Sequence, residues 1–207
     1  DIYPENMPEA DRKLAWNMEK YQKWWTPEWY EAVNRGLFVK RDLKGGQMSR
    51  DMTLFVDDDG KAYHIYSSEE NLTLHIAELT DDYLGHSGRY IRIFPGGHNE
   101  APAIFKKGNM YWMITSGCTG WIPNEARMFS ASSIWGPWEQ YPNPCRGQNS
   151  EKTFGGQSTF VLELSENRFI FMADVWKPKS LMYSGHIWLP IQFDEKGIPF
   201  IEWLDKW

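Results

Sequence analysis

Three polar residues stand at the head of three similar stretches of the sequence. Asp51 begins DMTLFVDDDGKAYHIYSS, Glu100 begins EAPAIFKKGNMYWMITSG, and Gln157 begins QSTFVLELSENRFIFMAD. Two carboxyl groups held at one site acquire different pKa values, so that one acts as a general acid while the other stays ionised. With a further group that directs water, such a pair can cleave a glycosidic bond by inversion. This chemistry requires that the fold bring the three residues together.

The repeated pattern predicts the elements that would do so. Each stretch reads as a strand, a turn and a second strand, and the second strands begin at Tyr63, Tyr111 and Phe169. A third and a fourth strand follow each pair: LTLHIAEL and RYIRIF, then ARMFSASSI and GPWEQY, then HIWLPIQF and FIEWLDKW. Four antiparallel strands repeated roughly every 50 residues are typical of a β-propeller blade. The sequence therefore predicts an all-β protein of the propeller type.

In a propeller the first strand of each blade lines the central axis, so Asp51, Glu100 and Gln157 should face one another. Two carboxylates that share a buried site repel each other and lose hydration, which favours a functional role over a structural one. The alternative is that all three cap strand ends in a water-filled channel.

The loops after the second strands should return to the same face. They span residues 67–71, 116–126 and 174–185, and they carry two tryptophans, Trp121 and Trp176. Flat apolar rings suit the faces of sugars, so both are predicted substrate platforms, with plain loop packing as the alternative. The positions of Thr119, Asn71 and Glu70 in these loops predict contacts with substrate hydroxyl groups.

The first 48 residues follow a different pattern. Residues 8–36 have apolar side chains at helical spacing, Thr26 and Pro27 form a helix start, and Gly36 stands where a helix would end. The predicted division is a helical preface or insertion at residues 1–48 and propeller blades at residues 49–207.

Composition excludes several classes of protein. Of the 207 residues 42% are hydrophobic and 24% charged, as in a globular protein, and the aromatic share of 16% includes 12 Trp. A net charge of −6 without Lys- or Arg-rich runs argues against a nucleic-acid partner, and no apolar run is long enough for a membrane span. The sequence begins at Asp1 with neither an initiator Met nor a signal peptide, which suggests a mature or cut chain.

No metal site or cofactor is predicted. The five His residues show no zinc-ligand spacing, and Asp57–Gly60 reads as a hairpin turn because no Glu closes a calcium loop. Cys118 and Cys145 can form one disulfide or remain two thiols.

The strings SRDMTLFVDDDGKAYHIYSSEEN, NEAPAIFKKGNMYWMITSGCTGW, QSTFVLEL and WLPIQF resemble glycoside hydrolase family 43. The resemblance runs from about Ser49 to Trp207, and SGCTGW and QST are most similar to the group of exo-β-1,3-galactanases. It implies a five-bladed propeller and an inverting reaction. Glu100 of EAP matches the general acid, and Asp51 of SRDM matches the partner that orients the acid and sets its pKa. Gln157 matches the residue that holds the attacking water in this group. If Gln157 also acts as the general base, it would do so as its imidic tautomer. No segment of the sequence matches the strand that carries the usual general base, an Asp.

The resemblance implies release of galactose from β-1,3-galactan, an arabinogalactan component of plant cell walls, by a secreted or periplasmic enzyme. Alternatives are an α-L-arabinofuranosidase of the same family and a non-catalytic carbohydrate-binding propeller fragment. The chain supplies about three of five blades, so the missing N-terminal blades of the same enzyme are an expected partner.

Overall fold

The computed structural model describes residues 3–39, 46–165 and 167–207. These residues form two compact units, Asp1–Asn99 and Glu100–Trp207. None of the described helices is long and apolar enough to cross a membrane.

The described residues contain two α-helices, two short 3₁₀ helices and thirteen strands. The α-helices are α1 (Glu9–Arg12) and α2 (Pro27–Asn34), and the 3₁₀ helices are Ser150–Gly155 and Leu181–Tyr183. The strands are β1 (Met52–Val56), β2 (Ala62–Ser68), β3 (Thr73–Leu79), β4 (His86–Ile93), β5 (Asn99–Lys107), β6 (Met110–Gly117), β7 (Arg127–Ala131), β8 (Glu139–Tyr141), β9 (Cys145–Arg146), β10 (Gln157–Ser165), β11 (Arg168–Val175), β12 (Gly185–Phe193) and β13 (Pro199–Glu202).

The strands form three separate sheets, one for each predicted repeat. Their orders are β1-β2-β3-β4, β5-β6-β7-β8 and β10-β11-β12-β13-β9. Consecutive strands pair antiparallel from β1 to β4, from β6 to β8 and from β10 to β13, and β13 pairs parallel with β9. The prediction of a mostly β protein is confirmed. Two of the sheets have the predicted four strands, whereas the third has a fifth strand because β9 joins its edge. The five-bladed closure stays a prediction.

The second unit buries a continuous apolar core. Alternate residues of β11 point into it, including Phe169, Phe171 and Ala173, and they meet Leu189 of β12 and Ile114 of β6. Because side chains alternate along a strand, the period-two pattern of the sequence selects this buried face.

The predicted helical run over residues 8–36 is interrupted. Residues 13–26 contain turns instead of a helix, because Asn17 Oδ1 accepts a hydrogen bond from the backbone N of Glu19 at 3.0 Å and so favours a turn. Trp16, Tyr21 and Trp24 of this region pack against the cluster around Trp29. Tertiary packing of these rings has overridden the helical spacing.

Helix α2 rests on the turn between β2 and β3. Thr26 Oγ1 caps the helix by accepting from Trp29 N at 3.2 Å, and Pro27 occupies the first helical position. Trp29, Val33 and Leu72 form one buried cluster, which fixes the helix against this turn.

Candidate active site

Gln157 is placed by a turn that only glycine permits. It is the first residue of β10 and follows Gly155, whose φ is +90°, and Gly156. A Cβ atom at Gly156 would lie 3.0 Å from Ile187 Cδ1 and 3.1 Å from Ala173 Cβ, so a side chain there would push these two residues back by a few tenths of an ångström. The two glycines therefore explain how a polar residue can begin a strand that enters the core.

Both ends of the Gln157 amide are hydrogen-bonded. Its Nε2 donates to Ser116 Oγ at 2.9 Å, and its Oε1 accepts from Trp176 Nε1 at 3.1 Å. Because an indole nitrogen can only donate, the atom that faces Trp176 must be the carbonyl oxygen. The orientation of the amide is thus determined by its two partners.

Trp121 and Trp176 form one wall of a narrow pocket beside Gln157. Their ring centroids are 5.2 Å apart in an edge-to-face arrangement, and the rings are 53% and 37% exposed. The pocket is also lined by Ser116, Gly120 and Asn124. The predicted proximity of both tryptophans to Gln157 is observed within the second unit, and sugar stacking stays a prediction.

Asn124 shapes the loop that carries Trp121. Its Nδ2 donates to Gly117 O at 2.9 Å and to Thr119 Oγ1 at 2.7 Å, while its Oδ1 accepts from Gly117 N at 2.7 Å. The hydroxyl of Thr119 donates to Ile122 O, so it closes the loop as well. A contact between Thr119 and a substrate stays a prediction.

Glu100 is partly buried near the start of β5, and the backbone bends directly after it. Ala101 is 8% exposed and has a φ of +51°, a conformation that costs of order 1–3 kcal/mol for a residue other than glycine. Ser158 Oγ donates to Ala101 O at 2.6 Å and holds this bend. The residues that follow Glu100 and Gln157 are therefore bonded to each other, which places these two strand starts side by side.

Asp51, Glu70 and Asn71 lie in the first unit. Asp51 is exposed immediately before β1, and its backbone O accepts from Ser67 N at 2.9 Å. Glu70 and Asn71 have φ values of +59° and +63° in the turn after β2. Asn71 is 7% exposed, and its Oδ1 lies 3.2 Å from Ser67 Oγ. Convergence of Asp51 with Glu100 and Gln157 stays a prediction.

A buried charged network that sequence reasoning missed supports this turn. Glu69 is fully buried and receives hydrogen bonds from Arg92 Nε and Nη2, both at 2.6 Å, and from the backbone N of Val39. His75 Nε2 lies 2.8 Å from Glu69 Oε1. Arg92 also donates to the backbone oxygens of Val33 and Leu37 at the end of α2.

The electrostatics of Glu69 follow from these contacts. Burial alone would raise the pKa of its carboxyl group, but the hydrogen bonds and charges of Arg92 and His75 outweigh burial and lower the pKa to about 2. An arginine within the apolar run RYIRIF was the available sequence signal, because a buried guanidinium requires a buried carboxylate.

The possible metal ligands and nucleophiles among the described residues are His, Cys, Asp and Glu side chains. No group of three His, Cys, Asp or Glu side chains there could hold a metal ion. Both cysteines are free thiols, Cys118 exposed and Cys145 buried, so the disulfide alternative is not realised. Burial raises the pKa of the Cys145 thiol to about 12, with a further contribution from Glu125, so this sulfur is a poor nucleophile.

Comparison with known proteins identifies the family to which this chain belongs. The sequence pattern of "Glycosyl hydrolases family 43" matches residues 11–186, so the chain belongs to this family. The match extends N-terminal of Ser49, where the resemblance was expected to begin.

Among solved structures, the chain is similar to a family 43 β-1,3-galactosidase bound to galactodeoxynojirimycin. The two are 70% identical over 99% of this chain and 60% of the other, with a TM-score of 0.96. A variant of an exo-β-1,3-galactanase from Phanerochaete chrysosporium with β-1,3-galactotriose is 35% identical over 75% of this chain and 36% of its own, with a TM-score of 0.68.

A curated relative, the β-D-galactofuranosidase xynD of Aspergillus niger, is 26% identical over 145 residues. These residues are 64% of this chain and 42% of the relative. The chain thus spans 60% of the galactosidase structure and less than half of the galactofuranosidase.

Proposed function

We propose that the full-length protein is an inverting glycoside hydrolase that releases terminal galactose from β-1,3-galactan. The observation that carries this proposal is the 70% identity, over 99% of the chain, to a structure described as a β-1,3-galactosidase. The bound galactodeoxynojirimycin of that structure is a galactose-like ligand, which supports galactose as the sugar.

The proposed division of labour uses three residues. Glu100 donates a proton to the glycosidic oxygen, and Asp51 orients Glu100 and sets its pKa. Gln157 holds the water that attacks the anomeric carbon from the opposite face of the sugar. The bonded neighbours Ala101 and Ser158 support a shared site for Glu100 and Gln157, because they bring the two strand starts together.

Substrate contacts are assigned to residues on both units. Trp121 offers its half-exposed ring to a sugar face, while Thr119, Asn71 and Glu70 are proposed hydroxyl partners. Residues 49–207 are proposed to supply three blades of a five-bladed propeller, and the remaining blades would complete the pocket. No cofactor is required, since acid and water suffice for hydrolysis.

A polymeric substrate such as plant arabinogalactan cannot cross a membrane intact, so we place the enzyme in the periplasm or outside the cell. Detection of the full-length protein only in the cytoplasmic fraction of its host would contradict this placement.

A furanoside substrate is the second candidate, because one relative is a β-D-galactofuranosidase. An α-L-arabinofuranoside is a comparable five-membered ring. The full-length protein should therefore be assayed against β-1,3-galactobiose, an aryl galactofuranoside and an aryl arabinofuranoside. Faster hydrolysis of either furanoside would replace the galactanase proposal, and sugar binding without any hydrolysis would indicate a carbohydrate-binding propeller.

The role of Glu100 is tested by Glu100→Gln in the full-length protein. A general acid contributes about 10²- to 10⁴-fold, so kcat on β-1,3-galactobiose should fall by about that factor. A dinitrophenyl galactoside has a leaving group that needs no proton, so its hydrolysis should be largely retained.

Glu163→Gln is the matched control, because Glu163 is an exposed carboxylate on β10. It should leave both rates unchanged. Equal losses on both substrates in Glu100→Gln, or no loss at all, would rule out the acid role.

A further inference from the structure

Both ends of the Gln157 amide are hydrogen-bonded to other side chains of the protein. Trp176 Nε1 donates to its Oε1, and Ser116 Oγ accepts from its Nε2. Turning the amide over would place its NH₂ group against the indole N–H, two donors without an acceptor. One orientation is therefore strongly preferred.

The partners of Gln157 are themselves fixed. Ser116 is 4% exposed on β6, so its hydroxyl group has little freedom to move. The ring of Trp176 packs edge to face with Trp121, with 71° between the two planes. The backbone N of Lys177 donates to Ser184 Oγ at 3.1 Å, which anchors the chain just after Trp176.

We propose that Trp176 is a positioning residue that acts through its indole N–H, and that Trp176 and Ser116 together clamp Gln157 in one orientation. This inference rests on the proposed function, in which Gln157 holds the attacking water. With both clamp bonds made, the amide keeps one N–H and one carbonyl lone pair for that water. The clamp thereby fixes the position of the bound water and determines which of its neighbours donates and which accepts a hydrogen bond.

A positioning role for Trp176 and a role as a sugar platform depend on different atoms of the side chain. A platform uses the face of the ring, which phenylalanine also offers, whereas a positioning residue needs the indole N–H. Trp176→Phe removes the N–H and keeps an aromatic face, so it separates the two roles.

The kinetic test is a double-mutant cycle in the full-length protein between Trp176→Phe and Gln157→Ala. A net hydrogen bond corresponds to about three- to tenfold, so Trp176→Phe alone should lower kcat by that factor with KM within about twofold. In the Gln157→Ala background the same change should alter kcat by less than about twofold, because the group to be positioned is gone.

One control is a second tryptophan just after β13, and another is Ser116, the other partner of Gln157. Trp203 Nε1 donates to Asp205 Oδ1 at 2.9 Å on the protein surface, so Trp203→Phe removes a comparable bond and should leave kcat unchanged. Ser116→Ala should lower kcat like Trp176→Phe, and Ser116→Thr, which keeps the hydroxyl group, should restore it at least in part. If the losses of kcat in Trp176→Phe and Gln157→Ala simply multiply in the double variant, the clamp is ruled out. A raised KM with unchanged kcat in Trp176→Phe would also rule it out.

A spectroscopic measurement separates failure of the clamp from failure of the proposed function. In ¹⁵N TROSY spectra, Gln157→Ala should shift the Trp176 indole N–H signal and speed its hydrogen exchange, and should leave the Trp203 signal in place. If wild-type protein releases no galactose, the proposed function fails, yet this experiment still decides the clamp. Unchanged exchange of the Trp176 indole in Gln157→Ala would refute the clamp even in an active enzyme.

Discussion

At the residue scale, the candidate site depends on a few backbone positions that polar side chains hold in place. Gly156 lets the chain enter β10, and Ser158 bonds to the carbonyl oxygen of Ala101 directly after Glu100. Ala101 precedes Pro102 and has a positive φ, although it is not glycine. The residue that follows the proposed acid is thus held in a strained backbone conformation.

This strain predicts different outcomes for two similar substitutions. Ala101→Gly relieves the positive φ, so it should change the free energy of unfolding by less than about 1 kcal/mol. Ala103→Gly, at a fully buried position of the same strand, should cost about 1–2 kcal/mol through lost burial and greater chain freedom. Urea unfolding measures both. An equal or larger loss in Ala101→Gly would show that Ala101 is not strained.

At the element scale, the turn between β2 and β3 is stabilised by the buried ion pair between Glu69 and Arg92. Glu69, Glu70 and Asn71 all have positive φ values, a run that local sequence preference does not favour. The bidentate contact of Arg92 with Glu69, together with the packing of Leu72 on α2, holds this turn. The proposed substrate contacts Glu70 and Asn71 are therefore positioned by residues that face away from the solvent.

The Glu69 network predicts a pH dependence of stability. The pKa of Glu69 is lowered from 4.5 to about 2 in the folded protein, so its contribution is complete above pH 4.5 and is lost as pH falls towards about 2. The contribution is on the order of 3 kcal/mol. Glu69→Gln should thus destabilise the protein at pH 7 by about 3–5 kcal/mol and flatten the fall in stability below pH 4.5.

Glu19→Gln, which changes an exposed carboxylate of the same unit, is the control and should keep the wild-type slope. Urea unfolding at pH 7 and pH 3.5 provides the comparison. A Glu69→Gln protein with the wild-type pH slope would contradict the assignment.

The sequence predicted the strands well because each hairpin carries its own alternation of apolar and polar residues and its own turn. The same repeat predicted that the loop carrying Trp176 returns to the face of Gln157, and these two side chains are hydrogen-bonded. It missed the turns over residues 13–26, where ring packing overrides helical spacing. It also missed Glu69 and the bend at Ala101, since ion pairs between distant strands and strained backbone leave no periodic signal.

At the scale of the whole molecule, the proposed site residues are distributed over two compact units. The first carries Asp51, Glu70 and Asn71, and the second carries Glu100, Gln157 and the tryptophan pair. The chain spans 60% of a galactosidase structure to which it is 70% identical. The proposed activity therefore belongs to the full-length protein, and experiments on function should use it.

The most direct test of the proposed inverting galactanase is the anomeric form of the first product. Full-length protein should be mixed with β-1,3-galactan and followed by ¹H NMR before the released sugar equilibrates. Inversion at a β-linkage gives α-galactose, so the α-anomeric signal should rise first and the β signal should follow by mutarotation. Initial release of β-galactose, or no release of galactose, would contradict the proposal.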